Sequence, residues 1–116
     1  MKLSAAIRIG SMTTRQIKGS PSDGGLGRCA IGAALDAVNI QPDDYLYVEQ
    51  LRSTFSLASH AGDTRLHSCA FTLTDEIWML NDFFGLTREQ IADTVERYES
   101  YVSEDRALTM KEFLKA

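Results

Sequence analysis

Apolar residues in the last third of the chain recur at helical spacing. After Thr87, four of them are separated by 4, 3 and 4 residues, on one face of a helix: Ile91, Val95, Tyr98 and Val102. Gly85 precedes this segment, and glycine commonly supplies the left-handed residue that follows a helix. The pattern predicts a helix, a tight turn and a second helix over residues 73–102.

Three Leu-Thr pairs mark predicted helix starts: Leu73-Thr74, Leu86-Thr87 and Leu108-Thr109. Threonine at an N-cap accepts a hydrogen bond from a free backbone N–H of the first turn. Gln90 lies three residues after Thr87, and Glu112 lies three residues after Thr109, so these two starts fit a capping box. Thr74 lacks the box, because the apolar Ile77 occupies the corresponding position. The leucine before each cap is predicted to contact an apolar residue one turn into the helix: Trp78, Ile91 and Phe113.

Residues 28–39 are nearly all apolar and small, which is typical of a helix that is buried on every side. Gly32, Ala33 and Ala34 would let a neighbouring helix approach closely. Asn39 is expected to end the helix. We predict that this segment is the central helix of the domain.

The remaining segments give weaker patterns. Residues 3–13 are predicted as a first helix with a partial apolar stripe of Leu3, Ile7 and Met12. Gly10 weakens the interior of this helix. Pro42 and the acids after it, Asp43 and Asp44, predict a helix that runs to about Phe55, with four residues on its buried side: Leu46, Val48, Leu51 and Phe55. Residues 58–71 fit a short strand or a short helix.

These elements predict a mainly α, single-domain protein over residues 1–116. We expect a compact bundle of five or six helices around the small-residue helix, with room for one short strand pair near residues 58–73. The length of 116 residues and the 44% hydrophobic content suit one globular domain. Arg8 and Gly10 interrupt the apolar N-terminal stretch before a signal peptide forms, so a cytoplasmic protein is expected.

The net charge of −4 is unevenly distributed. Residues 73–116 carry ten acids against five bases, while residues 1–28 carry five bases against Asp23. Five scattered bases do not make a nucleic-acid footprint, and an acidic half disfavours non-specific DNA binding. We interpret the acids as solvated helix faces.

The thiol and imidazole ligands of the chain are two cysteines and two histidines: Cys29, Cys69, His60 and His67. Zinc accepts such a set in a tetrahedron, but the chain lacks a Cys-x-x-Cys pair. Cys29 is also a candidate nucleophile, because a helix N-terminus and the neighbouring Arg28 would lower its pKa. His60 or His67 would be its base. Buried thiols and surface histidines are the favoured interpretation of these residues.

The glycine-rich loop of residues 19–27 runs into the predicted central helix, as a phosphate-binding loop would. Gly25, Gly27 and Arg28 are the candidate binding residues, but the lysine and Ser/Thr of a P-loop are missing. Asn81 and Asp82 are a second candidate pair, for a cation or for closing a turn. The helix after Thr87 resembles the first helix of a helix-turn-helix, although no turn follows it.

Two motifs together resemble an uncharacterised family of small bacterial and phage-associated proteins. They are the Cys-x-x-Gly-Ala helix that begins at Cys29 and the Asn-Asp-x-x-Gly-x-Thr turn that begins at Asn81. The match covers residues 28–38 and 75–96. The resemblance brings no activity with it, and it implies that five residues occupy structurally demanding positions: Cys29, Gly32, Asn81, Asp82 and Gly85.

We therefore expect a small acidic protein-interaction module of phage or accessory-genome origin, without a cofactor and without membrane or nucleic-acid partners. A protein of the host is the expected partner, and the oligomeric state stays open. Two alternatives remain. One is a small-ligand or hydrolytic site that uses Cys29 with His60 or His67, and the other is a helix-turn-helix-like regulator.

Overall fold

A computed structural model describes residues 1–59 and 72–100 of the chain. Five α-helices form most of these residues: α1 (Leu3–Thr13), α2 (Ala30–Ala37), α3 (Tyr47–Thr54), α4 (Leu73–Asp82) and α5 (Arg88–Glu99). A 3₁₀ turn, Ser56–Ser59, follows α3. The predicted mainly α fold is confirmed. The predicted start at Leu108-Thr109, with Glu112 and Phe113, lies outside the described residues.

Helix α2 is the central helix, because it contacts α1, α3 and α4. Its first six residues, Ala30 to Leu35, are buried, as the small apolar segment predicted. The helix is shorter than residues 28–39, since Cys29 is its N-cap and Val38 its C-cap. Asn39 follows with a φ of 61°, the left-handed conformation expected at a helix end.

Two glycines allow backbone to pack directly against α2. A Cβ on Gly10 would lie 1.8 Å from the carbonyl oxygen of Ala33, and one on Gly32 would lie 1.8 Å from that of Pro21. Gly10 therefore allows the close contact between α1 and α2. The sequence had indicated only its other effect, the lower helix propensity of glycine. The predicted stripe of α1 is wrong at Met12, which is 82% exposed, while Leu3 and Ile7 are buried.

Helix α3 begins at Tyr47, not at Pro42 as predicted. The Asp43 carboxylate accepts hydrogen bonds from the backbone N–H groups of Tyr45 (2.8 Å) and Leu46 (3.1 Å). This arrangement folds the acids into a turn before the helix. Leu51 and Phe55 are buried as predicted, but Leu46 is exposed.

The short strand pair lies in the N-terminal part of the described chain. Strand β1 (Arg15–Gln16) pairs in parallel with β2 (Gly27–Arg28), in the register Arg15 to Gly27. The sequence predicts such a pair near residues 58–73, of which residues 60–71 lie outside the described ranges. The pairing draws the glycine-rich loop back onto the end of α1.

The cap of α4 differs from the prediction. Thr72 is the N-cap and shares a capping box with Asp75, whereas Thr74 lies inside the first turn. Thr74 is buried, and its hydroxyl donates to the carbonyl of Ala58 over 2.8 Å. Leu73 is the first residue of α4 and does not precede its cap, so the predicted staple with Trp78 is misplaced. The indole of Trp78 packs edge to face against Phe83.

The turn between α4 and α5 has the predicted form. Gly85 has a φ of 67°, and Thr87 is the N-cap of α5 with a full capping box to Gln90. Leu86 packs against the core, which contains Ile91. The confirmed box shows that the local pattern was sufficient at this helix start.

Polar contacts attach α5 to α1. The Arg8 guanidinium pairs with three carboxylates of α5, Glu89, Asp93 and Glu96, at 2.6–3.1 Å. Hydrogen bonds to these groups, of which that to Asp93 is the strongest influence, hold the Arg8 pKa above its usual range. The carboxylate of Glu99 accepts from the backbone N–H of Ser4 over 3.2 Å, at the N-terminus of α1. Within the described residues, no helix has the length and apolar character of a membrane span.

Replacing Gly10 with alanine is expected to lower the free energy of unfolding by about 1–3 kcal/mol, because the new methyl overlaps the Ala33 carbonyl. Urea unfolding followed by far-UV circular dichroism measures the change. Gly25→Ala is the control, since its Cβ would meet only Asp23 Oδ1 at 3.5 Å. A stabilisation of about 1 kcal/mol by Gly10→Ala, the ordinary propensity gain in a helix, would contradict the close approach.

Candidate functional site

The buried side-chain amide of Asn81 joins three parts of the chain. Its Nδ2 donates to the carbonyl of Ile17 (2.8 Å) and to Asp82 Oδ1 (2.7 Å). Its Oδ1 accepts from Gln16 Nε2 (2.9 Å) and from the backbone N–H of Ala30 (3.2 Å). Both donors and both lone pairs are therefore in use. Asn81 holds the end of α4 against β1 and the start of α2.

Asp82 extends this arrangement to the glycine-rich loop. Its Oδ2 accepts from the backbone N–H of Gly19 over 3.0 Å, while Oδ1 accepts from Asn81. The pair closes a turn through side-chain to backbone bonds, one of the two roles considered for it. Among the described residues, no salt bridge neutralises the Asp82 carboxylate.

The candidate phosphate loop already holds a carboxylate from its own chain. Asp23 Oδ1 accepts from the backbone N–H groups of Gly25 and Gly27, each at 2.9 Å. These bonds, with that of Gly25 first, hold the Asp23 pKa below its usual value. The Arg28 guanidinium donates to the carbonyls of Gly25 (2.7 Å) and Gly27 (2.8 Å). The groups that would bind an anion are therefore engaged within the loop.

The thiol of Cys29 is buried, with 4% of the residue exposed. Its Sγ accepts from the backbone N–H of Gly32 over 3.4 Å and so caps α2. Burial raises the Cys29 pKa to about 11, which corrects the expectation that the helix start and Arg28 would lower it. A thiol with this pKa is protonated near neutral pH and is a weak nucleophile.

The candidate metal set cannot be assembled from the described residues. His60, His67 and Cys69 lie outside the described ranges, and the described residues contain no group of three or more potential ligands. Cys29 is the described member of that set.

A small recess opens beside Cys29. It is lined by Tyr47, Trp78 and Asp82, together with Cys29 and residues 19–21. Its empty volume is about 190 Å³, including the solvent at its mouth. Only about 10 Å³ of this space can hold the centre of a water-sized group, so the recess admits about one water-sized group and not a cofactor.

An aromatic surface, formed by Trp78, Phe83 and Phe84, lies at the end of α4 and includes one wall of this recess. The rings of Trp78 and Phe83 meet edge to face, with centroids 5.2 Å apart and planes at 85°. Trp78 is 38% exposed, Phe83 64% and Phe84 50%. Contiguous exposed aromatic side chains mark interaction sites more often than scattered ones do.

Negative charge surrounds the phenol of Tyr47. Its pKa is raised by burial first, then by the thiol of Cys29 and the carboxylates of Asp82, Asp75 and Asp44. Ser20, which lines the recess, donates its hydroxyl to Asp44 over 3.0 Å. The recess is thus a partly enclosed place where aromatic rings and carboxylates occur together.

Helix α5 carries three carboxylates, which pair with Arg8 of α1. Phosphate backbones repel these carboxylates, which weighs against a regulator that uses this helix.

Comparison with protein-family models, with curated proteins and with solved structures finds no match to this chain.

Sequence reasoning reached Cys29, Asn81 and Asp82, and the structure brings these three together at the junction of α2 and α4. It missed Tyr47 and predicted Trp78 only as the staple partner of Leu73. One available signal was the spacing of Asp75, Trp78 and Asp82, which places an aromatic ring between two acids on one helix face. The neighbouring Phe83 and Phe84, directly before a glycine turn, were a second signal.

Asn81→Asp is expected to lower the free energy of unfolding at pH 7 by about 2–4 kcal/mol. The substitution removes the N–H donor to the Ile17 carbonyl and places a second carboxylate beside that of Asp82. Repulsion raises the folded-state pKa of the introduced group above its unfolded value, so the deficit relative to wild type shrinks as pH falls. Urea titrations at pH 7 and pH 4.5 test this. The exposed Asn39→Asp should cost less than about 1 kcal/mol, and equal losses would contradict the role of Asn81.

In a Cys69→Ser background, native Cys29 should react with Ellman's reagent at pH 8 more than about 100-fold slower than in the denatured chain. Its pKa of about 11 leaves roughly one thiol in a thousand ionised at that pH. The native rate should rise with pH until about 11. Equal native and denatured rates would show that the thiol is accessible and reactive.

Proposed function

We propose that this protein is a small interaction module that binds another protein, and that the partner docks on the aromatic surface of Trp78, Phe83 and Phe84. The observation that carries the proposal is the exposed edge-to-face pair of Trp78 and Phe83. Aromatic residues are enriched in the energetic centres of protein interfaces. The partner class that we propose is a protein segment with an apolar anchor and basic neighbours.

The apolar part of this proposal follows from exposure. Phe83 leaves 64% of its surface in water, although it lies directly beside the partly buried indole of Trp78. Burying such a ring stabilises a complex by about 25 cal/mol for each Å² of apolar surface removed from water. A partner side chain that covers Phe83 would gain this contribution without any rearrangement of the core.

The basic part follows from charge. Asp82 lines the recess beside the surface, and Asp44 accepts a hydrogen bond from Ser20 of the same recess. No salt bridge within the described ranges involves either carboxylate. The described carboxylates that have ion-pair partners are elsewhere, on α5, in the glycine loop and on α2. An acidic surround speeds association with basic segments and disfavours acidic ones. The resemblance to phage-associated proteins makes a host protein the source that we expect.

The proposal predicts that fragments of the host proteome, displayed on phage, will be enriched on the immobilised protein and will depend on Phe83. Phe83→Ser should weaken each selected fragment by roughly tenfold or more, as truncation of an interface anchor does. Binding is measured by isothermal titration with the corresponding synthetic peptides.

Met12→Ser is the matched control, since Met12 is an exposed apolar residue on α1, outside the aromatic surface. Far-UV circular dichroism establishes that both variants are folded. Fragments that lose as much affinity with Met12→Ser as with Phe83→Ser, or the absence of any enriched fragment, would contradict the proposed docking surface.

A further inference from the structure

A second exposed apolar pair, Tyr45 and Leu46, lies in the turn before α3. Tyr45 is 92% exposed and Leu46 is 54% exposed. Both ends of this pair adjoin the recess: Asp44 accepts a hydrogen bond over 3.0 Å from Ser20, which lines it, and Tyr47 lines it as well. Because consecutive Cα atoms are about 3.8 Å apart, the pair lies at the rim of the recess.

Hydrogen bonds tie this turn to α3, so the exposure of its apolar residues is built into the fold. The Asp43 carboxylate accepts from the backbone N–H groups of Tyr45 and Leu46. The Asp43 N–H donates to the side chain of Gln50 on α3, and Gln50 Nε2 donates to the carbonyl of Gln41, each over 3.0 Å. A surface that is ordered before binding loses less conformational entropy when a partner docks.

The exposed aromatic rings of the described residues are concentrated around the recess. They belong to Tyr45, Trp78, Phe83 and Phe84. Trp78 lines the recess and packs against Phe83, while Tyr45 is two residues from Tyr47 on the recess wall. Exposed apolar side chains that are grouped in this way mark an interaction site, whereas single scattered ones are ordinary.

Carboxylates lie between the two apolar groups. Asp82 lines the recess, and Asp44 is bonded to Ser20 of its wall. The pKa of Tyr47 is raised by burial first and then by neighbouring negative groups, among them Asp82, Asp75 and Asp44. None of these three carboxylates forms a salt bridge with another described residue. A segment that crosses the recess therefore meets apolar surface, negative charge and apolar surface in turn.

From this arrangement we infer that one segment of the partner crosses the mouth of the recess with two apolar anchors and a lysine or arginine between them. One anchor covers Phe83, and the other covers Tyr45 and Leu46. The base stays outside, beside the exposed Asp44, because the recess admits about one water-sized group. The inference rests on the proposed function, since it describes the same partner and adds a second contact before α3. Charge of opposite sign between the anchors fixes the register of the segment.

The probes are synthetic peptides of the displayed host fragments that depend on Phe83, measured by isothermal titration. Tyr45→Ser and Leu46→Ser should each weaken these peptides by roughly fivefold or more, as loss of an interface anchor does. Leu26→Ser is the matched control and should leave the affinity unchanged, because Leu26 is 67% exposed and does not line the recess. The substituted side chains are exposed, and far-UV circular dichroism establishes that each variant is folded.

Double-mutant cycles distinguish the two anchors and the base between them. Each apolar residue of a peptide is replaced with serine, and we expect one to be coupled to Phe83 and a different one to Tyr45. Replacing the peptide's lysine or arginine with glutamine should weaken binding several-fold at low salt and less at high salt. Asp44→Asn should reduce this effect, whereas Asp93→Asn should not, since Asp93 pairs with Arg8.

Peptides that depend on Phe83 but keep their affinity for both Tyr45→Ser and Leu46→Ser would overturn the inference, while leaving the proposed function in place. The same holds for peptides that carry no lysine or arginine between their anchors, and for equal losses with Leu26→Ser and Leu46→Ser. If no displayed fragment depends on Phe83, the proposed function fails and the two-anchor segment fails with it.

Discussion

The rest of the structure depends on one buried amide, that of Asn81. It uses its full hydrogen-bonding capacity, and three of its four bonds reach two regions that are distant along the chain: Gln16 and Ile17 at β1, and Ala30 at the start of α2. A buried polar group that is fully paired rigidifies its neighbours, because any displacement leaves a desolvated partner unpaired. Asn81 also orients Asp82, which holds the loop at Gly19. The recess exists because these contacts fix α4 against the loop.

Helix α2 packs at the same junction because glycines replace larger side chains there. Gly10 and Gly32 let backbone carbonyls lie where a side chain would otherwise stand, so α1 and the Pro21 segment close directly on α2. The buried start of this helix is capped from within the chain, by the Cys29 thiol and by Asn81. The glycine loop is also satisfied by its own chain, because the Asp23 carboxylate accepts hydrogen bonds from the backbone N–H groups that a phosphate would need. These groups build the site and do not face a ligand.

The surface that remains available is aromatic and acidic. Trp78 and Phe83 pair edge to face in solvent, and the carboxylates beside them lack ion-pair partners within the described ranges. On α5, by contrast, one arginine pairs with three carboxylates. The combination of exposed aromatic rings with carboxylates that lack ion pairs among the described residues, more than the net charge of −4, is the reason why we propose this region as the docking site.

The sequence alone determined the elements whose signals are local. The capping box at Thr87, the glycine turn at Gly85 and the apolar α2 segment all depend on residues within one turn of each other. The cap of α4 was misplaced by two residues, because a Leu-Thr pair does not distinguish a cap from a buried threonine that bonds to Ala58. Only the tertiary structure decided that Asn81, Asp82 and Cys29 meet, and that the partly exposed Trp78 packs against Phe83. Contacts across 51 residues, such as that between Ala30 and Asn81, leave no periodic trace in the chain, since they depend on how whole helices pack.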